Sequence, residues 1–217
     1  GSDGVADGVA APDITCMWID DELFLDGDVT GGDVRFYAEV GADEAGVVCG
    51  SSQIGHQLAL TLDEGHKLAE AEHCFVQGSN GGGVLDMEIT GLADGNHELS
   101  LKVCNHAGVY ATRSIRFTVV NTSACGVLSV EERPAAQVAT ISLKHDFKET
   151  PRGRLVVRNG DGKVVFSDSG AEFPYIWNLT DASGAQVAEG RYEVEAYLHG
   201  GAAYGRSSAA EIVVSRD

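Results

Sequence analysis

Basic residues are scarce in this sequence, and their scarcity limits what it can bind. The 217 residues include 15 Lys and Arg against 33 Asp and Glu, which gives a net charge of −18. A surface of that sign opposes electrostatic binding to nucleic acid or anionic lipid. We therefore expect no nucleic-acid partner.

Long apolar runs are also missing. No stretch approaches the roughly 18 consecutive apolar residues of a membrane span, so we expect no membrane span. The five cysteines form neither a CxxC pair nor the dense pattern of a disulfide scaffold. Their odd number leaves at least one thiol free or paired outside the chain. An oxidising compartment would permit disulfides, with Cys16–Cys104 and Cys49–Cys74 as candidate pairings.

Charge divides the chain into two parts. Residues 1–121 hold 20 acidic and 5 basic side chains, whereas residues 122–217 hold 13 and 10. Two halves with such different surfaces predict two domains. We place them at 13–121 and 122–217, after a linker and tag scar at 1–12.

Alternating apolar and polar residues dominate the sequence and predict strands. Val34–Val40 is typical, because Phe36 and Ala38 share one face while Arg35 and Tyr37 share the other. Comparable runs are Ile14–Ile19, Gln57–Leu62, Val84–Ile89, Glu98–Val103, Ile115–Val120, Val138–Leu143, Arg154–Arg158, Lys163–Phe166, Tyr192–Leu198 and Glu211–Val214. Gly-rich turns separate them, which predicts an all-β chain of sandwich or barrel type.

An internal repeat indicates the size of each domain. Gly95–Val103 aligns with Gly190–Leu198 at an offset of 95 residues, close to the roughly 100 residues of an immunoglobulin sandwich. In each copy a glycine precedes a ring, His97 or Tyr192, at the start of a strand. We therefore predict two tandem immunoglobulin-like (Ig-like) β-sandwiches, with Trp18 and Trp177 as one core anchor each.

Nucleophilic catalysis is not supported by the residue pattern. The sequence has no GxSxG motif and no recognisable Cys-His signature. Cys104 ends a predicted strand, so it is better interpreted as a core or disulfide residue than as a nucleophile partnered by His106. We assign no catalytic residue.

Two clusters contain metal-ligand residue types, but neither has the spacing of a known module. The zinc-type set is His56, His66, His73 and Cys74, and it matches no short-spaced zinc module. The calcium-type set is Asp20-Asp21-Glu22 with Asp26-Gly27-Asp28, and it lacks the EF-hand pattern. Solvated histidines and hairpin carboxylates explain both sets better. We assign no metal and no cofactor.

Two further motifs have simple structural interpretations. Gly81-Gly82-Gly83 precedes a predicted strand and has no following Lys, so it indicates a hairpin and not a phosphate loop. Asn121-Thr122-Ser123 and Asn178-Leu179-Thr180 match the N-glycosylation pattern, which arises often by chance.

The second half resembles a known family of Ig-like domains. Trp177, Asp181 and Gly184 form a W-x-x-x-D-x-x-G hairpin, and Gly190-Arg191-Tyr192 follows as G-x-Y. This pattern is similar to the Ig-like domain of flagellar hook-capping proteins and to the C-terminal sorting domains of Bacteroidetes type IX secretion cargo.

The first half contains a second set of recognisable stretches, which are Ile54-Gly55-His56, Leu62-Asp63, Gly91-Leu92, Asp94–His97 and Leu99–Val103. With these stretches it resembles the region after the peptidase domain of the type IX secretion sortase, a gingipain-like cysteine peptidase of the cell surface. The resemblance implies a parent that removes sorting signals from secreted cargo and joins the cargo to surface lipopolysaccharide. Its catalytic Cys and His would belong to an upstream domain.

From the resemblance we expect non-catalytic accessory domains that support an upstream peptidase domain and dock on an outer-membrane partner at the cell surface. The acidic first domain is expected to bind a basic partner or none, and the Lys163–Ser167 edge could accept an added strand. The alternative is an adhesin or glycan-binding module, with Tyr197, Tyr204 or Phe173 as an aromatic platform and calcium in the acidic loops.

Overall fold

The computed structural model describes residues 10–41, 47 and 58–216. The chain divides into two compact units between Val119 and Val120. Strands make up 57% of the described residues and helix 2%, so the predicted fold class, all-β with tandem Ig-like sandwiches, is confirmed. In the described part of the chain, no helix is long and apolar enough to cross a bilayer.

The first unit is a sandwich of two sheets. One contains, in spatial order, β1 (Ile14–Ile19), β3 (Val34–Val40), β7 (Gly83–Ile89) and β6 (Phe75–Gln77). The other contains β2 (Val29–Thr30), β9 (Tyr110–Val119), β8 (Gly95–Cys104), β4 (Ala59–Leu62) and β5 (His66–Lys67). A single helical turn, α1 (Ala71–Cys74), precedes β6.

Alternation explains how the first unit builds its core. Phe36 and Ala38 on β3 are fully buried, as are Leu99 and Leu101 on β8. Because side chains in a strand point alternately to opposite faces, the residues between them face outward. The two inward faces close one hydrophobic core, as the alternation predicts.

The second unit is also layered, but its layers form one hydrogen-bonded sheet. Its spatial order is β13 (Val164–Ala171), β12 (Arg152–Asn159), β15 (Gly190–Gly200), β16 (Ala203–Ser208), β10 (Gly126–Val130), β11 (Ala139–His145) and β14 (Tyr175–Trp177). β17 (Ala210–Val214) pairs with β15 beside this path. β16 joins the layers by pairing antiparallel to β15 and parallel to β10.

The two tryptophans have different environments. Trp177 is 1% exposed and packs in the second core, as predicted. Trp18 is half-buried and lies outside the first core, stacked on Tyr37. The prediction that Trp18 anchors the first core was therefore wrong, because Met17 and Ile19 point inward and the strand alternation sends Trp18 outward.

Candidate functional site

A groove in the first unit has a volume of about 690 Å³. Neighbouring strands β8 and β9 form its floor, while the Asp26–Gly27 loop and the Asp63–Glu64 turn form its rim. We call it the acidic groove. Its lining residues are Asp26, Gly27, Asp63, Glu64, Asn96, His97, Glu98, Arg116, Phe117 and Thr118.

His97 lies in the wall of the acidic groove and is held at both ring nitrogens. Its Nδ1 lies 2.9 Å from Asp63 Oδ2, and its Nε2 lies 2.8 Å from the Ala93 carbonyl oxygen. Both partners accept hydrogen bonds, so only the protonated ring can donate to both at once. The ring also packs against Phe117, with centroids 5.6 Å apart.

The pair of His97 and Asp63 favours its charged form. Burial alone lowers the pKa of His97, but the bonds to Ala93 and Asp63 outweigh it, so that pKa lies above its ordinary value. Burial alone raises the pKa of Asp63, but hydrogen bonds from the Glu98 amide and from His97 lower it below its ordinary value. The pair thus fixes the turn against β8.

Arg116 and Asp26 form a second brace across the acidic groove. Asp26 Oδ1 accepts the Arg116 backbone N–H at 2.7 Å, and its Oδ2 accepts from the guanidinium at 2.8 Å. The backbone bond and then the side-chain bond lower the pKa of Asp26. Since both side chains are at least half exposed, the brace positions the loop and contributes little net stability.

The acidic groove is therefore rigid and negative. Its lining includes the carboxylates of Asp26, Asp63, Glu64 and Glu98, against the cations of Arg116 and protonated His97. Asp26, Asp63 and His97 are engaged in the bonds described above, and Glu64 and Glu98 present exposed carboxylates. This arrangement can attract and hold a cationic group.

Cys104 and His106 do not form a catalytic pair. Cys104 is 2% exposed, whereas His106 is exposed to solvent. Asn105 lies between them, is fully buried, and accepts the amides of Ala107 and Val109 at its Oδ1. The interpretation of Cys104 as a core residue is confirmed.

The zinc-type residues lie on separate elements. His66 is on β5, His73 and Cys74 are on α1, and both histidines are exposed. His56 lies outside the described residues. Within the described ranges, no three His, Cys, Asp or Glu side chains come together as a metal site.

The calcium-type carboxylates brace turns. Asp20 Oδ2 accepts from the Thr30 hydroxyl at 2.6 Å, and Asp21 Oδ1 accepts the Leu23 amide at 2.8 Å. Asp28 Oδ2 accepts the Leu25 amide at 2.9 Å. The sequence predicted that these carboxylates are solvated, and the bonds show that they also hold the turns in place.

The remaining motifs lie where their structural interpretations placed them. Gly81 and Gly82 sit in the hairpin between β6 and β7, and the Gly78 amide donates to the Gly82 carbonyl at 2.8 Å. Asn121 and Asn178 are both exposed, and the interpretation of the two glycosylation patterns as chance matches stays a prediction.

The described cysteines are free thiols. Cys16 and Cys104 are both unbonded, so the Cys16–Cys104 pairing is wrong. Cys74 and Cys125 are free as well, and Cys49 lies outside the described residues. Burial, the largest cause, raises the pKa of the Cys16 thiol.

The aromatic platform predicted in the second unit is not formed. Tyr197 is 7% exposed and lies between two guanidinium groups, 4.6 Å from Arg154 and 4.8 Å from Arg206. Tyr204 and Phe173 are half-buried. The stacked pair of Trp18 and Tyr37 is an aromatic surface that was not predicted from the sequence. The apolar residues Met17 and Ile19 on both sides of Trp18 could have indicated it, because alternation then directs Trp18 to the outer face.

The Lys163–Ser167 segment lies largely on β13, an edge strand of the second unit. Its edge is partly occupied, because the Val165 carbonyl accepts the Ala182 amide at 2.9 Å. Strand addition there would have to begin beyond Val165.

Comparison with known proteins gives structural matches only. No protein-family model matches the sequence, and no curated protein does. The chain is similar to dimeric latent PorU from Porphyromonas gingivalis, at 22% identity and a TM-score of 0.49, over all of this chain and 21% of the PorU chain.

Two further solved structures are built of tandem modules. The fibronectin(III)-like modules of Clostridium thermocellum CbhA match at 16% identity and a TM-score of 0.33, over 91% of this chain and 92% of that one. The Ig1-2 module of Drosophila DLAR, a receptor protein tyrosine phosphatase, matches at 14% identity and 0.34, over 95% and 100%.

Proposed function

We propose that this chain is a non-catalytic accessory region of a cell-surface protein, with domains at 13–121 and 122–217, whose first domain holds a basic partner in the acidic groove. The observation that carries the proposal is the rigid negative lining: His97, Asp63, Asp26 and Arg116 brace the walls, and Glu64 and Glu98 stand exposed.

The test is a calorimetric titration of the whole chain with a synthetic peptide of alternating Lys and Ser, which measures the affinity for the peptide. Glu64→Gln with Glu98→Gln should weaken binding about tenfold, because close charge pairs contribute more than about 1.4 kcal/mol. Glu22→Gln with Glu70→Gln removes equal charge from exposed positions outside the groove and should change affinity much less. Equal losses in the two variants would contradict a site in the groove.

The parent that we propose is a PorU-type sortase of type IX secretion, a gingipain-like cysteine peptidase whose peptidase domain lies upstream. The W-x-x-x-D-x-x-G and G-x-Y motifs support it, and their residues have defined roles here. Trp177 fills the core, Asp181 Oδ1 accepts the Ser183 and Ala185 amides, and Tyr192 is the third residue of β15, which begins at Gly190.

The coding sequence upstream of Gly1 tests this parent. A contiguous peptidase domain with paired His and Cys would support it, and an unrelated upstream domain would contradict it. The acidic groove could still bind a basic segment in that second case, so the two proposals fail separately.

In the second domain we propose docking on an outer-membrane protein through the outer face of β10, β11 and β14. Val127 is 54% exposed and Ile176 is 59% exposed on that face. They lie on the two strands that flank β11, so each supplies a separate apolar contact to a partner. Ile176→Glu should abolish recovery of the whole chain with the outer-membrane fraction, whereas Val76→Glu, at a 71% exposed site in the first unit, should not. Equal recovery of both variants would exclude this face.

A further inference from the structure

Trp18 and Tyr37 form a stacked aromatic pair on the outside of the first unit. Their ring centroids are 4.5 Å apart and their planes are inclined by 14°. The residues are direct cross-strand partners on β1 and β3. Adjacent strands are about 4.8 Å apart, so rings stacked at this distance stand upright on the sheet.

Trp18 lies on an edge strand, so only one side of its ring meets a neighbour within the sheet. β1 ends the described order β1-β3-β7-β6, with β3 on its inner side. Tyr37 covers the ring from that side, and no strand of this sheet lies beyond Trp18. The Arg35 guanidinium lies 5.7 Å from the ring centroid.

Polar side chains on β3 and β7 lie next to the aromatic pair, on the same outer face of the sheet. Strand register places Asp86 beside Tyr37 and Glu88 beside Arg35. Arg35 donates to both oxygens of Asp86, at 2.8 and 2.6 Å. We call this surface the aromatic face; it consists of Trp18, Tyr37, Asp86, Asp20, Arg35 and Glu88.

A pocket of about 300 Å³ lies at the Arg35 end of the aromatic face. Asp20, Asp33, Arg35, Glu88 and Thr90 line it, with Val34. Small-molecule sites begin at about this volume. The pocket is therefore suited to a compact polar group.

Tyr37 is fixed in its neutral form. Its hydroxyl donates to Glu39 Oε1 at 2.6 Å, and this hydrogen bond, followed by burial, raises the pKa of Tyr37 to about 12. The ring therefore has one orientation and adds no charge to the surface.

The charges select among ligands. Asp20, Asp86 and Glu88 outnumber the single cation of Arg35, so an anionic sugar, nucleic acid or anionic lipid would be repelled. The centre of a buried protein interface is depleted in Asp and Glu, so the carboxylates of this face disfavour an apolar protein partner. A neutral polyhydroxylated ligand carries no charge to be repelled, and its hydroxyls can bond to these carboxylates.

We propose that the aromatic face binds a neutral glycan. The C–H face of one sugar ring packs on the open side of the Trp18 indole, and later sugars of the same chain pass above the two stacked rings. The hydroxyls of those later sugars donate to Asp86 and Glu88 on β7 and accept from Arg35. An aromatic surface with a few placed polar groups is the usual composition of small-ligand sites. This activity is separate from the acidic groove.

Tryptophan fluorescence of the unmodified chain gives the first test. The protein has two tryptophans, and Trp177 is 1% exposed, so quenching by acrylamide reports mainly on Trp18. The probes are hexamers of β-1,4-glucose, β-1,4-N-acetylglucosamine and β-1,4-mannose, with a galacturonate hexamer as the anionic comparison. At least one neutral hexamer should shield Trp18, and the galacturonate hexamer should not.

Variants locate the site by calorimetry with the neutral hexamer that binds best. Trp18→Ala and Tyr37→Ala should each weaken binding at least about tenfold, since stacking groups dominate such contacts. Asp86→Asn, which preserves shape, should weaken it less. The matched control is Tyr110→Ala, because Tyr110 is 59% exposed in the same unit, and Glu64→Gln with Glu98→Gln is a second control; both should bind normally.

Several outcomes would overturn the proposal. These are failure of all three neutral hexamers to bind, unchanged binding in folded Trp18→Ala and Asp86→Asn proteins, and preferential binding of the galacturonate hexamer. Shielding of Trp18 by the Lys-Ser peptide alone would assign the face to a protein partner instead.

Discussion

His97 in the first unit and Tyr192 in the second perform the same structural task. His97 Nε2 lies 2.8 Å from the Ala93 carbonyl oxygen, and the Tyr192 hydroxyl lies 2.7 Å from the Ala188 carbonyl oxygen. Each ring thus binds the carbonyl four residues upstream, in the manner of the tyrosine corner of Ig-like sandwiches.

Removing the corner hydroxyl should lower the stability of the second unit. Tyr192→Phe keeps the ring in the core but loses the bond to Ala188, and the free energy of unfolding should fall by about 1 kcal/mol. Urea unfolding followed by Trp177 fluorescence measures the change. Tyr110→Phe is the control, since Tyr110 is exposed, and equal losses in the two variants would contradict the corner role.

The histidine corner should make the stability of the first unit depend on pH. The pKa of His97 is raised above 6.5, so its stabilisation is complete below about pH 6.5 and is lost as the pH rises through the folded value. The pKa of Asp63 is lowered from 3.8 in the folded protein. The stabilisation by Asp63 is therefore fully present above about pH 3.8, and it is lost as the pH falls through the pKa of the folded state.

His97→Tyr replaces the titrating imidazole by a tyrosine ring, the side chain that Tyr192 provides at the corner of the second unit. Unfolding free energies from pH 5.5 to pH 8.5 should decline in the unmodified protein and decline less in the variant. A ring titration by NMR should place the pKa of His97 above 6.5. A value at or below that point would refute the assignment.

The glycine of each corner is required by the backbone. Gly95 has φ +132° and Gly190 has φ +145°, a region that other residues enter only at about 1–3 kcal/mol. Gly190→Ala should lower the melting temperature of the second unit. Gly160→Ala, where an added Cβ meets only the Arg191 carbonyl oxygen at 3.9 Å, should have little effect.

The two tryptophans should respond differently to truncation. Trp177→Ala empties a fully packed core position and should lower the free energy of unfolding by about 3–5 kcal/mol. Trp18→Ala removes a half-buried outward ring without opening a cavity in the core, so it should lower the free energy of unfolding clearly less than Trp177→Ala does. Similar losses would mean that Trp18 supports the core.

Alternation allowed the main strands to be predicted from sequence, because a buried face imposes period two. Ile14–Ile19 and Val34–Val40 were predicted at their observed limits. Short edge strands such as β2, β5 and β14 were missed, since two or three residues show no period. β10 was missed for a different reason: Gly126–Val130 does alternate but lies next to the domain join.

The sites were harder to predict than the fold. The groove brings together Asp26, Asp63 and Arg116 from distant parts of the sequence, and only strand register makes them neighbours. The pairing of Trp18 with Tyr37 has the same origin. Tyr197 was mispredicted because cross-strand arginines cover an outward position that alternation alone leaves open.

We propose that the first domain binds a cationic partner at one defined place, and amide NMR during titration with the Lys-Ser peptide locates that place residue by residue. We expect chemical-shift changes concentrated at Asp63, Glu64, Glu98 and Arg116 that disappear in about 0.5 M salt, where the screening length falls to a few ångströms. Shifts spread evenly over all exposed carboxylates, or confined to the second unit, would contradict it.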